Sequence, residues 1–118
     1  MAAVIEESAT DLTTGTRTTA TLTWAGAPTD GEAILAISGE IWGGQLTADT
    51  IDMDDAGFTS PYLDQVARQT TRVRLTAWGK EAASDGTSEG ITYTNSGGDD
   101  PRQLLAYGLV ASGVDAND

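Results

Sequence analysis

The chain has 118 residues, a length that fits one domain built around one core. It carries 18 acidic and 6 basic residues, a net charge of −12, with no histidine and no cysteine. Disulfides, thiol chemistry and imidazole catalysis are thereby excluded, and the negative field repels nucleic acid and anionic membranes.

The aromatic complement is one Phe, three Tyr and three Trp, so the core has to come mainly from Ala, Val, Ile, Leu and Thr. Thr-rich, glycine-rich material of this kind suits strands and turns. The basic residues are five arginines and a single lysine, Lys80. Surplus acid with almost no lysine fits either adaptation to high salt or an ordinary acidic protein.

In chain order, Met1 to Glu7 has no basic region and no long apolar run, so no signal peptide is expected. No window approaches the ~20 apolar residues that span a bilayer, and no membrane partner is expected. Residues 10–19 read as a polar, Thr-rich lead-in. Ala20, Leu22 and Trp24 then alternate with threonines, which gives a strand with one buried face. Asp30-Gly31 marks a reversal, and Ala33 to Ser38 reads as the returning strand. Gly39, Gly43 and Gly44 bracket a second short strand containing Ile41 and Trp42. Leu46 to Met53 gives another strand, closed by Asp54-Asp55-Ala56-Gly57.

Ser60-Pro61-Tyr62 carries the signals of a helix start, a capping serine followed by proline at the first helical position. Tyr62, Leu63 and Val66 supply a narrow apolar stripe, so one short helix is expected from Ser60 to about Gln69. Thr71 to Gly79 alternates again. Val73, Leu75 and Ala77 are expected to face inward, with Arg72, Arg74, Thr76 and Trp78 on the other side. Residues 80–90 read as an acidic loop, Ile91 to Thr94 as a brief strand, and Leu104 to Ala111 as a final apolar strand. The segments from Leu22 to Gly31 and from Leu75 to Gly86 echo each other as two similar hairpins. The expected fold is a single all-β domain over residues 1–118, a β-sandwich or small barrel of about six or seven strands with one short flanking helix.

Residue patterns for chemistry are sparse. No Gly-x-Ser-x-Gly element, phosphate loop or dinucleotide fingerprint is present, so no enzyme activity and no cofactor are expected. Asp49, Asp52, Asp54 and Asp55 form the densest acidic cluster. Asp52-x-Asp54-Asp55-x-Gly57 imitates the start of a calcium loop, but Leu63 stands at the twelfth position where a bidentate Glu is required. A strand running into a solvated acidic turn, at a subunit contact or lumen, is the expectation, and no metal site is assigned. Arg68, Arg72 and Arg74 concentrate half of the basic charge. In an acidic setting they are read as ion-pairing groups, within the chain or across a subunit contact. Trp24, Trp42 and Trp78 are read as core or contact residues in preference to a carbohydrate platform.

The run Ala48-Asp49-Thr50-Ile51-Asp52-Met53-Asp54-Asp55-Ala56-Gly57-Phe58 resembles the tail tube proteins of tailed phages and archaeal viruses. In that family an acidic-Thr/Ser-Ile-Asp-Val-Thr strand enters an Asp/Gly turn. A helix or loop and an alternating strand follow, here Ser60 to Gln69 and Thr71 to Trp78. Asp54 stands where the family has Thr, and the chain is short for the family. The resemblance implies a β-sandwich with a flanking helix, assembling into hexameric rings that stack as a tube in the virion tail after synthesis in the host cytoplasm. Its partners would be further copies of itself, other virion proteins, and DNA passing through the lumen without specific binding. An acidic lining would keep that DNA from adhering. A head decoration or head–tail connector protein, or an acidic halophilic binding module, are the competing readings.

Overall fold

A computed structural model of the chain describes residues 3–43, 49–59, 61, 63–68, 71–95 and 103–113. Among them are eight strands: β1 (Val4–Asp11), β2 (Thr19–Thr23), β3 (Ala33–Gly43), β4 (Asp49–Met53), β5 (Leu63–Arg68), β6 (Thr71–Glu81), β7 (Ser88–Asn95) and β8 (Gln103–Ser112). They form two antiparallel sheets, a five-stranded one in the order β1-β8-β3-β6-β5 and a three-stranded one in the order β2-β7-β4. The all-β, sandwich-like expectation is met.

The core lies between the sheets. Ala20, Leu22 and Trp24 from β2 and its exit, Ile51 and Met53 from β4, and Ile91 and Tyr93 from β7 are buried. Facing them are Ile34 and Ala36 of β3, Trp78 of β6, and Leu104, Ala106 and Val110 of β8. Each full burial of a Leu or Ile contributes about 1.5–3 kcal/mol, so the period-two alternation of these strands decides which face turns inward.

Five local expectations are corrected. The helix from Ser60 to Gln69 is not found: Leu63–Arg68 is strand β5, paired with β6 from Leu63↔Ala77 to Arg68↔Arg72. Residues 60, 62, 69 and 70 lie outside the described set. Edge pairing along an eleven-residue neighbour outweighs a weak local helix signal. Second, Ala33 to Trp42 does not break at Gly39. β3 is one continuous strand because it is hydrogen-bonded on both sides, to β6 and to β8. Third, Val4–Asp11 is a strand of its own, paired to β8, where no element was expected.

The fourth correction concerns β6, whose faces are inverted. Thr76 and Trp78 are buried, while Val73 and Leu75 are 41% and 42% exposed. Trp78 fills more core volume than Val73 or Leu75 could, and Arg74 is tolerated inward because Asp64 meets it at the sheet edge. Arg74 Nε donates to Asp64 Oδ1 and Nη2 to Oδ2, each at 2.8 Å.

The echoing segments are not hairpins either. The β2–β3 and β6–β7 connections both cross from one sheet to the other. They bond to each other: Gly31 N–H donates to Ala82 O at 2.9 Å, Ala82 N–H to Glu32 O at 2.7 Å, and Ser84 N–H to Asp30 Oδ1 at 2.6 Å. Gly31 has φ +92°, a left-handed conformation that disfavours a side chain.

Candidate functional site

The clamped loops bring charged residues to one end of the sandwich. Lys80 arrives near the end of β6, Asp55 from the turn after β4, Asp85 from the β6–β7 loop and Glu89 from β7. β7 alternates Glu89, Ile91 and Tyr93 on one side, and all three are buried. Glu89 is therefore carried inward by the same period that buries its apolar neighbours. Ser84, at φ 58°, turns the loop back so that Asp85 lies beside Lys80.

Lys80 Nζ donates to Asp55 Oδ2 and to Asp85 Oδ1. The side chains of Lys80 and Asp85 are 9% and 5% exposed, and Asp55 is about one-third exposed. Nζ also sits 5.1 Å from the centre of the Phe58 ring, a cation–π arrangement. Backbone donors hold both carboxylates: Gly57 N–H reaches Asp55 Oδ1, and Ala83 N–H reaches Asp85 Oδ2, each at 2.8 Å. Lys80, Asp55, Asp85 and Glu89, with Asp54 and Gly90, line a cleft of about 780 Å³.

Electrostatics divide the group. Hydrogen bonding from Lys80 holds the Asp55 carboxyl below the usual carboxylate range, with Gly57 N–H adding to the effect. Burial pulls the Lys80 ammonium down, but the two carboxylates more than offset it and the net shift is upward. Glu89 is only 3% exposed. Burial pushes it up to about 7, and a carboxyl–carboxyl hydrogen bond with Asp85 works in the same direction. The site thus holds an acid protonated below neutrality, beside a lysine and the carboxyls of Asp55 and Asp85.

The carboxyl oxygens of Asp55, Asp85 and Glu89 lie within 4.8 Å of one another, a spacing compatible with metal ligation. Lys80 already bonds to two of the three, so its ammonium takes the position a cation would occupy.

The acidic cluster read from sequence is divided by the fold. Asp52 and Asp54 are exposed, with Asp54 Oδ1 accepting from Thr92 Oγ1 at 2.6 Å, whereas Asp55 turns toward Lys80. Asp49 opens β4 opposite Asn95, and its side chain lies outside the described set. Arg68 and Arg72 face each other across β5 and β6, also without described side chains, and Arg74 is engaged by Asp64. Of the tryptophans, Trp24 and Trp78 are core residues; the side chain of Trp42 is outside the described set. Lys80, Asp85 and Glu89 were missed because residues 80–90 read as an acidic loop. The signal that finds them is the lone lysine of the chain, followed at fifth and ninth positions by acids, the second in phase with Ile91 and Tyr93.

A second feature stands on the opposite side of the larger sheet. Its outer face presents Leu35, Ile37 and Ile41 of β3, Val73, Leu75 and Ala77 of β6, and Leu105, Tyr107 and Leu109 of β8. Leu63 of β5 extends it, and Leu63 and Tyr107 are among the exposed large apolar residues. Among the described residues, Glu81, at the end of β6, is the acidic one that shares this face. No described helix is long and apolar enough to cross a membrane. Compared with protein-family models, curated proteins and solved structures, the chain matches none.

Proposed function

We propose that the chain is a structural subunit that assembles with copies of itself through the outer face of its five-stranded sheet. The observation that carries this reading is a largely apolar face on which, among the described residues, charge is confined to the Glu81 end, on a chain of net charge −12. The three strands that carry its apolar side chains, β3, β6 and β8, about 4.8 Å apart with about ten residues of 3.4 Å rise, cover roughly 500 Å². That lies in the upper part of the ~300–600 Å² range of the largest apolar patch on a typical monomer. It supplies more than half of the ~800 Å² that each partner contributes to a standard stable interface, with β1 and β5 flanking it. Two such faces from neighbouring copies pack as sheets do inside a sandwich, and acidic groups elsewhere on the surface remain in solvent.

Within this class the finer reading is a tail tube subunit of a tailed virus, a ring former through whose lumen DNA passes. Its support is the resemblance of residues 48–58, together with the acidic surface; the flanking helix that the family would bring is replaced by β5.

Light scattering and negative-stain electron microscopy, at high protein concentration in low and in molar salt, test both levels. Regular oligomers are expected, and Leu75→Asp should yield monomers with an unchanged circular dichroism spectrum. A monomer under all conditions overturns self-assembly. Normal assembly of Leu75→Asp overturns the face. Closed oligomers that never stack leave the structural reading standing and remove the tube.

A further inference from the structure

One end of the sandwich holds four ionisable side chains, three of which, Lys80, Asp85 and Glu89, have little access to water. Such burial is costly for charged groups, even paired ones. A covalent solution is within reach of the groups present. Lys80 Nζ contacts Asp85 Oδ1, so the carboxyl carbon lies one C–O bond further on. Asp85 Oδ2 is held by Ala83 N–H at 2.8 Å, a donor aimed at the oxygen on which negative charge would develop. Glu89 borders Asp85 and supplies a carboxylic acid. Asp55, more exposed and bonded to the same ammonium, is placed to take a proton from it.

We propose that Lys80 and Asp85 condense within the folded chain to an amide, with Glu89 as proton donor and Asp55 as proton acceptor. Glu89 protonates Asp85 Oδ1, and Asp55 removes one proton from Nζ. The freed lone pair attacks Cγ, forming the Nζ–Cγ bond while charge gathers on Oδ2. A second proton passes from Nζ to Glu89. The Cγ–Oδ1 bond breaks, and Oδ1 leaves as water with the proton it received first and the one Asp55 held. Glu89 and Asp55 end as they began. The positive charge of Lys80 and the negative charge of Asp85 disappear together, so the net charge is unchanged and no oxidant or nucleotide is consumed. Holding amine and acid in contact removes the entropic barrier that makes such a condensation slow between free molecules.

Asp85 is the acceptor because it is the more buried of the two carboxylates on Lys80 and the one hydrogen-bonded to Glu89. The adjacent Gly86 creates a rival chemistry, since an Asp-Gly pair can lose water to form a succinimide.

Intact-mass measurement of the denatured full chain, after incubation of the folded protein at pH 5.5, tests the proposal. The expected mass is lower than the sequence mass by one water, with trypsin failing to cleave after Lys80 and fragment spectra joining Lys80 to Asp85. Glu89→Gln and Lys80→Met should each return the full mass. Folding of both variants is checked by circular dichroism, and the wild-type mass stands as a test without them. Formation in wild type should slow above about pH 7, where Glu89 loses its proton. A full sequence mass in the folded wild type overturns the proposal. So does a water loss that mild base reverses while Lys80 stays open to trypsin, which is the succinimide.

Discussion

Gly108 of β8 lies against Trp24: a Cβ added at Gly108 would come within 2.6 Å of Trp24 Cη2 and 2.7 Å of Leu22 Cδ1. The two sheets approach closely here because a glycine leaves room for an indole. Gly108→Ala should therefore destabilise the fold by about 1–3 kcal/mol, the range for overpacking a filled core. Trp24→Phe in the same chain should recover part of that loss. The indole Nε1 is buried without a hydrogen-bond partner, so removing it sacrifices no bond. Urea denaturation of the single and double variants measures both effects.

Stability should fall as pH rises from 4.5 to about 7. Glu89 titrates near 7 in the folded chain against an ordinary value of 4.5, so over that interval the folded state binds more protons than the unfolded one. The loss amounts to about 2–3 kcal/mol for a group this buried. Below this window the sign reverses. Asp55 and Asp11 titrate below their ordinary 3.8, and the stability they supply is lost as pH falls through their folded values. The optimum lies at about pH 4–5. Glu89→Gln should flatten the upper limb in denaturation curves taken at pH 4.5, 5.5 and 7.5. Burial, the main cause of the shift, is present with or without a bond between Lys80 and Asp85.

Melting temperature should rise with sodium chloride. Eighteen acids against six bases leave most carboxylates unpaired. Their repulsion is screened within about 3 Å at 1 M salt against about 10 Å at 0.1 M. A flat or falling melting curve would argue that the acidic surface is already balanced.

Arg74 and Asp64 should show a coupling of about 1 kcal/mol in a double-mutant cycle, the upper end for an ion pair of which one member remains partly exposed. The pairing is two-pronged, and Arg74 is 11% exposed against 38% for Asp64. Arg74→Gln should thus lower stability without changing the oligomeric state. An assembly defect in a variant that is otherwise stable would move this residue into an interface.

Local periodicity made part of this fold readable. Ala20, Leu22 and Trp24 alternate without competition, and their burial follows directly. β5 was not readable: Ser60-Pro61 and the spacing of Leu63 and Val66 favour a helix locally, while its strand partner β6 is non-local. β6 itself was ambiguous, because both faces carry apolar residues and the volume of Trp78 decided between them. The cluster around Lys80 was hidden for a related reason. Its members come from β6, β7, the loop joining them and the turn after β4, so no single segment displays the group, although the phase of Glu89 with Ile91 and Tyr93 was present in the sequence.

Val4 of β1 is paired with Ser112 of β8, so the first and last described strands are neighbours at one edge of the larger sheet. Tension applied between these two residues would open the hydrogen bonds of that edge pair in succession, beginning at Val4 and Ser112. It would not load them all at once, so the sandwich is mechanically soft along its own backbone. The same adjacency makes it easy to splice. A host loop needs to bridge only one interstrand gap of roughly 5 Å to accept the entire sandwich as an insert.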